Sequence, residues 1–200
     1  LTVKVTLRSD GNVEKAVVGA ISEKVYLYGN EDRLKEIFEN PSLQMVSFTI
    51  TEKGYSLVDG KGEYLPDVAA DLANGPEKAT SYMGKLTALL CARYLKNRQP
   101  LAMVSMDNCS HNGDKLRAAI MTFAKVWGGK GFNAWLEESI SFPCSMIDKI
   151  TPSPDLTVGA MLERDGLEGF APVRNARGTV KAPYVNAEES EYLVVEDAFS

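Results

Sequence analysis

The order of apolar and polar positions predicts a chain in which strands and amphipathic helices alternate. Residues 1–9 alternate with period two, as in a half-buried strand, and residues 13–28 are typical of one or two further strands. Residues 43–51 form a nearly continuous apolar run, which predicts a strand covered on both faces, and residues 101–106 form a second such run. The segment 191–197 is typical of a final strand.

Four other segments repeat apolar residues at helical spacing. Asn30 can cap a helix over residues 31–40. The longest helical pattern covers residues 75–97, and its apolar stripe consists of Tyr82, Met83, Leu86, Leu89, Leu90 and Tyr94. A third helix is predicted from the repeat of Leu116, Ile120, Phe123 and Trp127. A fourth helix is predicted over residues 132–140.

Buried strands that alternate with amphipathic helices predict an α/β fold with an open, mostly parallel sheet. Such sheets bind ligands in the crevice at the carboxyl ends of their strands. Polar clusters follow three of the apolar runs, and we expect all three to face one crevice. They are Thr51, Glu52 and Lys53; Asp107 and Asn108; and Asp148 and Lys149.

Composition narrows the class of protein without naming a function. The 200 residues are 44% hydrophobic and 24% charged, as in an ordinary soluble globular domain. The net charge of -5 gives no electrostatic reason to bind nucleic acid or anionic lipid, and no apolar run approaches the length of a membrane span. Three scattered cysteines do not make a disulfide framework, so we expect a reducing, cytoplasmic location.

Two of the polar clusters hold side chains with a definable chemical role. Gly54 stands two residues after Glu52, so a tight turn could aim the Glu52 carboxylate over the sheet edge. The alternative is that Glu52 is a solvated acid in a turn. The Asn108 amide could donate a hydrogen bond to an oxygen that gains negative charge. The alternative for Asn108 is helix capping, but we expect capping to fall to Ser110 or Asn112.

The third cluster, Asp148 and Lys149, stands between Ile147 and Ile150. A surface ion pair of little energetic value is the alternative to a site here. The apolar neighbours argue against full exposure, and strand alternation would turn the two charged side chains to opposite sides.

Two further motifs are rejected as sites. Cys109, His111 and Cys144 could be drawn as a zinc site, but the Cys-x-His spacing is poor and no fourth ligand stands out, so the sequence predicts no metal. Residues 128–134 contain G-x-G-x-x-A, as in a dinucleotide-binding fingerprint. That fingerprint requires a preceding strand, whereas a helix precedes the glycines here, so we expect a break between two helices.

Three motifs in this order, SFTITEKGY, VSMDNCSHNG and FPCSMIDKITP, resemble those of the polyol-specific long-chain dehydrogenases. That family includes mannitol 2-dehydrogenase, fructuronate reductase and tagaturonate reductase. The resemblance covers nearly the whole chain, including YLVVEDAF at 192–199. In the last motif Ile147, Asp148 and Lys149 stand where the family has Val-Asp-Arg, and lysine lacks the planar fork of arginine.

The resemblance implies a Rossmann-like fold and a metal-independent oxidoreductase that uses NAD or NADP. Hydride would pass between nicotinamide and a secondary alcohol or ketone of a linear sugar acid or polyol. The resemblance implies that Asn108 polarises the developing alkoxide, that Glu52 lies beside the substrate and its proton route, and that Asp148 lies near nicotinamide and substrate. The predicted binding set also contains Lys149, Ser145 and Asn112, with Asn112 as the fallback for the amide role.

Two family motifs are absent from this sequence, namely the glycine-rich loop G-x-G-x-F-x-R and the lysine motif Lys-x4-Asn-x2-His of the helical domain. We therefore expect residues 1–186 to form a partial nucleotide-binding domain without its first βα unit, and residues 187–200 to lead toward a C-terminal helical domain. On its own the chain is expected to be inactive. The alternatives are a non-catalytic α/β binding module and a zinc-dependent enzyme.

Overall fold

The computed structural model of the chain describes residues 2–8, 10–26, 29–149, 153–176, 178–187 and 192–197. Its elements in chain order are β1 (Thr2–Leu7), β2 (Val13–Val18), α1 (Glu31–Glu39), β3 (Met45–Phe48), α2 (Glu52–Tyr55), α3 (Pro66–Asn74), a 3-10 turn (Pro76–Lys78), α4 (Tyr82–Lys96), β4 (Leu101–Ser105), α5 (Asn112–Trp127), α6 (Gly129–Ser139), β5 (Ile140–Ser141), β6 (Ser145–Asp148), α7 (Leu156–Arg164), β7 (Val173–Arg174), β8 (Val180–Lys181), β9 (Tyr184–Ala187) and β10 (Tyr192–Val195).

The chain divides into two compact units. The first comprises Leu1–Lys24 and Asp148–Tyr192, and the second comprises Val25–Ile147 and Leu193–Ser200. In the first unit β1 pairs antiparallel with β2 and parallel with β9. The period-two prediction for β1 is confirmed at Val3 and Val5, which enter a core with Val158, Leu162, Phe170 and Tyr184. The alternation ends there, because Thr6 is buried and Leu7 is 39% exposed.

The second unit contains a parallel sheet in the order β3-β4-β5. Every residue of β4 is buried, as its apolar run predicts. The prediction that β3 is covered on both faces is wrong: Met45 is 52% exposed, and only Phe48 of the strand is buried. Among the described strands β3 pairs with β4 alone, so it lies at an edge of the sheet, which an apolar run cannot reveal.

Helices α4, α5 and α6 cover the parallel sheet with the apolar faces that their periodicity predicts. Helices α4 and α5 bury Leu90, Leu116, Ile120, Phe123 and Ala124 completely in this core, and β4 buries Met103 completely. Gly129, with a φ of 61°, begins α6 one residue after α5 has ended, which confirms the predicted break between two helices. The described residues of 43–149 thus follow the α/β pattern read from the sequence.

Helix α4 begins later than predicted, because the chain is capped at Ser81. The Ser81 hydroxyl oxygen accepts a hydrogen bond from the Gly84 N–H at 3.1 Å, as an N-cap residue does. Tyr82, at the start of the predicted apolar stripe, is 48% exposed. Residues 75–81, which the pattern included in the helix, instead contain the separate 3-10 turn.

Other local predictions are corrected in detail. Asn30 stands at the N-cap of α1, but its side chain caps nothing and instead donates to the Tyr26 carbonyl oxygen at 2.9 Å. Of the run 13–28, the described part forms one strand, β2. Helix α7 lies where the apolar pattern was too weak to predict an element; Asp155 caps it by accepting from the Thr157 N–H at 2.8 Å.

The Asp71 carboxylate joins the end of α3 to the start of α4. One oxygen accepts from the Thr80 N–H at 2.8 Å and the other from the Ser81 N–H at 2.8 Å, and both hydroxyls donate as well, at 3.1 and 2.6 Å. Burial acts to raise the pKa of Asp71, but these hydrogen bonds to the charged form outweigh it, and the net pKa lies below the ordinary value.

The Asp71→Asn variant is expected to lose roughly 2 to 3 kcal/mol of stability at neutral pH, because several charge-assisted bonds are lost. A depressed folded-state pKa contributes stability that is present above the unfolded pKa, about 3.9, and that is lost as the pH falls through the folded pKa. The difference between wild type and variant should therefore narrow below about pH 4. Urea unfolding of both proteins across a pH series measures this difference in stability, with the exposed Glu77→Gln as control. A difference that does not change with pH would contradict the lowered pKa assigned to Asp71.

Candidate functional site

Two of the three predicted polar clusters lie at the same edge of the parallel sheet. Strands β3 and β4 are parallel neighbours with Phe48 opposite Ser105, and the Met106 N–H donates to the Phe48 carbonyl oxygen at 2.6 Å just beyond the last pair. Glu52 begins α2, which follows β3, and Asn108 lies in the loop that follows β4. The sheet thus brings Glu52 and Asn108 to one set of strand ends, as the apolar runs predicted.

The Glu52 side chain approaches α5, the helix that follows the loop of Asn108. The Lys115 Nζ atom of α5 lies 3.7 Å from the Glu52 Oε1 atom, and the Glu52 side chain is 79% exposed. Asn108 is exposed too, and among the described residues nothing forms a hydrogen bond with its amide. Both side chains are therefore accessible to a ligand at this edge.

Beneath them lies a buried hydrogen-bonded pair, Tyr55 and Asp107. Neither is among the predicted site residues, although Asp107 belongs to the second polar cluster. The Asp107 carboxylate accepts a short hydrogen bond from the Tyr55 hydroxyl and a second from the Cys109 N–H at 2.9 Å. Burial, and then the hydrogen bond to Asp107, raise the pKa of Tyr55, so its hydroxyl stays protonated. The pair fixes the end of α2 to the start of the loop that carries Asn108. The available signal was that Asp107 comes two residues after the end of β4, every residue of which is buried.

Asn112 is the centre of a second buried network. Its Oδ1 atom accepts from the Ser145 N–H at 2.9 Å, and its Nδ2 atom donates to the carbonyl oxygens of Ser145 at 3.0 Å and Asp107 at 3.1 Å. The side chain is fully buried. Its amide hydrogens are directed to protein oxygens, so the geometry does not suit the predicted fallback role of polarising an alkoxide. Asn112 holds the loop and β6 in place.

Ser145 belongs to the same network. Its hydroxyl donates a short hydrogen bond to the Ser105 carbonyl oxygen at the end of β4, and the residue is 9% exposed. These contacts favour a structural role for Ser145 over the predicted direct contact with substrate or cofactor. Its bonds connect the start of β6 to the end of β4.

Neither Ser110 nor Asn112 occupies the N-cap of α5, contrary to expectation. His111 stands there, in the left-handed conformation with a φ of 53°, and its side chain forms no capping hydrogen bond. The Asn112 Oδ1 atom does accept from the Gly113 N–H in the first turn, at 2.9 Å. The backbone reaches Asn112 through this turn, and Asn112 itself is the first helical residue. Asn108 is left outside the capping arrangement, as expected.

The third cluster, Asp148 and Lys149, is not carried by a strand of the parallel sheet. That sheet continues from β4 to the two-residue strand β5, and Pro143 then interrupts the extended chain, since proline has no N–H to donate. Strand β6 pairs with β10 instead. Asp148 is exposed at the end of β6, and Lys149 is half-buried. Their predicted place beside nicotinamide and substrate stays a prediction.

The three residues considered as zinc ligands in the sequence, Cys109, His111 and Cys144, are not the three that lie together in the structure. Ligand atoms of His111, Asp114 and Cys144 lie within 4.8 Å of one another. Cys109 is outside this group, and its backbone N–H is directed at Asp107.

The residues at the strand ends do not supply a dinucleotide diphosphate site. Such a site needs a glycine-rich turn between a strand and a helix N-terminus. The described connections 49–51, 106–111 and 142–144, which follow β3, β4 and β5, contain no glycine. A separate cleft of about 610 Å³ lies between α1, the 3-10 turn and α4, and it is lined by no residue of these connections.

A parallel sheet flanked by helices, with its polar side chains at the strand ends, is the architecture of a nucleotide-dependent dehydrogenase domain. The family model described as the mannitol dehydrogenase Rossmann domain matches residues 1–199, and the chain belongs to this family. Within the described part, no helix has both the length and the apolar character needed to cross a bilayer.

Similar proteins include several curated polyol and sugar-acid dehydrogenases. The D-mannonate oxidoreductase of Thermotoga maritima is 41% identical over 207 aligned positions, which cover 100% of this chain and 38% of the relative. The D-arabinitol 4-dehydrogenase of Ralstonia nicotianae is 39% identical over 117 positions, 58% of this chain and 24% of that protein. The chain thus spans well under half the length of these relatives.

Two solved structures share the fold. Mannitol 2-dehydrogenase of Pseudomonas fluorescens, in a ternary complex with NAD and D-mannitol, superposes with a TM-score of 0.79 at 28% identity, covering 99% of this chain and 38% of that one. A substrate-free D-sorbitol dehydrogenase gives a TM-score of 0.80 at 26% identity, covering 98% of this chain and 39% of that one. These matches confirm the predicted Rossmann-like α/β class.

Proposed function

We propose that the chain is part of a cytoplasmic oxidoreductase that interconverts a secondary alcohol and a ketone of a linear sugar acid or polyol with NAD or NADP. The observation that carries the proposal is the meeting of Glu52 and Asn108 at one edge of the parallel sheet. Both residues lie in motifs that resemble the family's site motifs. The bound nicotinamide would supply hydride transfer, and the residues of this chain would bind and orient the sugar.

In this proposal Asn108 is the amide that polarises the reacting oxygen. An exposed amide at a strand end, not engaged by the described protein groups, can donate to an oxygen as negative charge develops on it. Glu52 lies beside the substrate and its proton route, and the Lys115 Nζ atom stands 3.7 Å from its Oε1 atom. The motif resemblance assigns Asp148 and Lys149 to the binding of nicotinamide and substrate.

Asp107, Tyr55, Asn112 and Ser145 are proposed as positioning residues. Their hydrogen bonds join α2, the end of β4, the start of α5 and the start of β6. A loop held at both ends keeps the Asn108 amide in one place, and preorganised donors stabilise a transition state more than mobile ones do.

The remaining parts of the enzyme are proposed to come from outside the 200 residues. Residues 1–186 would form the partial nucleotide-binding domain, and 187–200 would lead to a helical domain that contributes the catalytic lysine. A glycine-rich turn elsewhere in the polypeptide would bind the cofactor diphosphate, because the described strand ends lack one. We therefore expect no turnover from the 200 residues alone.

The substrate class is tested on the longer polypeptide that contains this chain. A panel of D-mannonate, D-altronate, D-mannitol and D-arabinitol is assayed with NAD and NADP by nicotinamide absorbance. We expect turnover of one of these compounds, with a sugar acid of the mannonate and fructuronate type favoured by the 41% identical relative. The 200-residue chain serves as the inactive control. Binding of cofactor or sugar without turnover by the longer polypeptide would favour a non-catalytic binding module instead.

A further inference from the structure

A group of three chemically different metal ligands lies at the start of α5. The imidazole of His111, the carboxylate of Asp114 and the thiol of Cys144 have ligand atoms within 4.8 Å of one another. The His111 Nδ1 and Asp114 Oδ2 atoms are 3.3 Å apart. Two ligands of a tetrahedral zinc ion with bonds of about 2.0 Å stand about 3.3 Å apart, so this pair already has the required separation.

The backbone around these ligands is fixed by contacts that do not involve the ligands' own side chains. Asn112 and Gly113 lie between His111 and Asp114 in sequence. Asn112 is bonded to both backbone groups of Ser145, the residue after Cys144. A methyl group on Gly113 would overlap the carbonyl oxygen of Phe142, so α5 begins in direct contact with the chain that leads to Cys144.

Cys144 is held from its other side as well. Its N–H donates to a carboxylate oxygen of Glu196 at 3.1 Å, and its carbonyl oxygen accepts from the Glu196 N–H at 2.8 Å. Cys144 is an unpaired, half-buried thiol, while the side chains of His111 and Asp114 are 76% and 72% exposed. Because they are exposed, the His111 and Asp114 side chains can change rotamer when a cation binds.

We infer that His111, Asp114 and Cys144 bind one divalent cation of the zinc class. A nitrogen, a carboxylate oxygen and a sulfur form a donor set suited to zinc, whereas calcium and magnesium take oxygen ligands. Three protein ligands leave a fourth position for water. On binding, the Cys144 thiol loses its proton to solvent and the thiolate bonds to the cation, with no change of oxidation state. The site is independent of the proposed dehydrogenase function.

Binding is measured on the metal-free, reduced 200-residue chain. Zn²⁺ is titrated by calorimetry against a competing chelator, and Co²⁺ is used as an optical probe of thiolate ligation. We expect one equivalent of each cation and a thiolate-to-cobalt absorption band. Cys144→Ser should abolish the band, and Cys144→Ser, His111→Ala and Asp114→Asn should each weaken zinc binding at least roughly tenfold, as the loss of a ligand should exceed that of an outer-shell partner.

Cys109→Ser is the matched control, since it removes a thiol of the same region that lies outside the group. It should keep both the stoichiometry and the band. Circular dichroism verifies that each variant is folded, and sedimentation verifies that the zinc-bound chain is monomeric. Absence of stoichiometric binding, wild-type binding by folded Cys144→Ser, loss of the band in Cys109→Ser, or a zinc-bridged dimer would overturn the inference.

Discussion

The Asn108→Ala variant of the full-length enzyme is expected to lose about a hundredfold or more in kcat, with a much smaller change in thermal stability. The physical reason is that an amide which donates to a developing alkoxide acts mainly in the transition state, and loss of one such donor costs roughly 10² to 10³ in rate. Asn108 is exposed and unbonded among the described residues, so the substitution leaves no buried group unsatisfied. Steady-state kinetics and a melting curve measure the two effects.

Ser110→Ala is the matched control for Asn108. Ser110 lies in the same loop, is equally exposed and does not cap α5. Its substitution should leave kcat within about twofold, as expected of a surface change away from the chemistry. An Asn108→Ala enzyme with unchanged kcat and a lowered melting temperature would show that Asn108 stabilises the loop and takes no part in the reaction.

Arg93→Met is expected to destabilise the chain by about 4 kcal/mol or more. Arg93 lies in α4, is fully buried, and donates to five carbonyl oxygens, those of Phe38, Asn40, Leu43, Gln99 and Pro100, at 2.7 to 3.0 Å. Methionine fills much of the volume but donates to none of these oxygens. The bond to Phe38 is buried and the other four are partly buried. An unsatisfied buried acceptor costs about 1 to 3 kcal/mol, and the partly buried bonds to the charged group add to that loss. Urea unfolding measures the loss.

Lys96→Met provides the comparison for Arg93, because Lys96 is an exposed residue at the end of the same helix. Its substitution should change stability by less than about 0.5 kcal/mol. Arg93→Lys should fall between the two, since an ammonium group has three donors where the guanidinium has five. Equal stability of Arg93→Met and Lys96→Met would contradict the role assigned to the buried guanidinium.

The fold was predictable from sequence where the burial of a single strand or helix determines its own pattern of apolar residues. The run Leu101–Ser105 is apolar because the strand is buried on both faces, and the repeat through Leu116, Ile120 and Phe123 follows the buried face of α5. The apolar run around Met45 looks the same in sequence, but among the described strands β3 pairs with β4 alone, and Met45 is 52% exposed. Whether a strand has one neighbour or two depends on the rest of the sheet, and a local pattern does not contain that information.

The candidate site was predictable only in part, for a similar reason. Parallel strands of one sheet bring Glu52 and Asn108 to a common edge, and the order of runs and polar ends predicts this. The hydrogen bonds of Asn112 to Ser145 connect residues 33 positions apart, and neither residue has a local signal of burial. Likewise Asp114, absent from the zinc trio read off the sequence, joins His111 and Cys144 because the helix turn places it there.

The claim that Glu52 and Asn108 act in one site is tested most directly by a double-mutant cycle on the full-length enzyme. The value of kcat/KM is measured for wild type, Glu52→Gln, Asn108→Ala and the double variant with the best substrate of the panel. The effects of residues that act as a unit in one site are not additive, so the double variant should be slowed by clearly less than the product of the two single losses. Losses that multiply within about twofold would show that the two residues act independently, and would contradict a shared site.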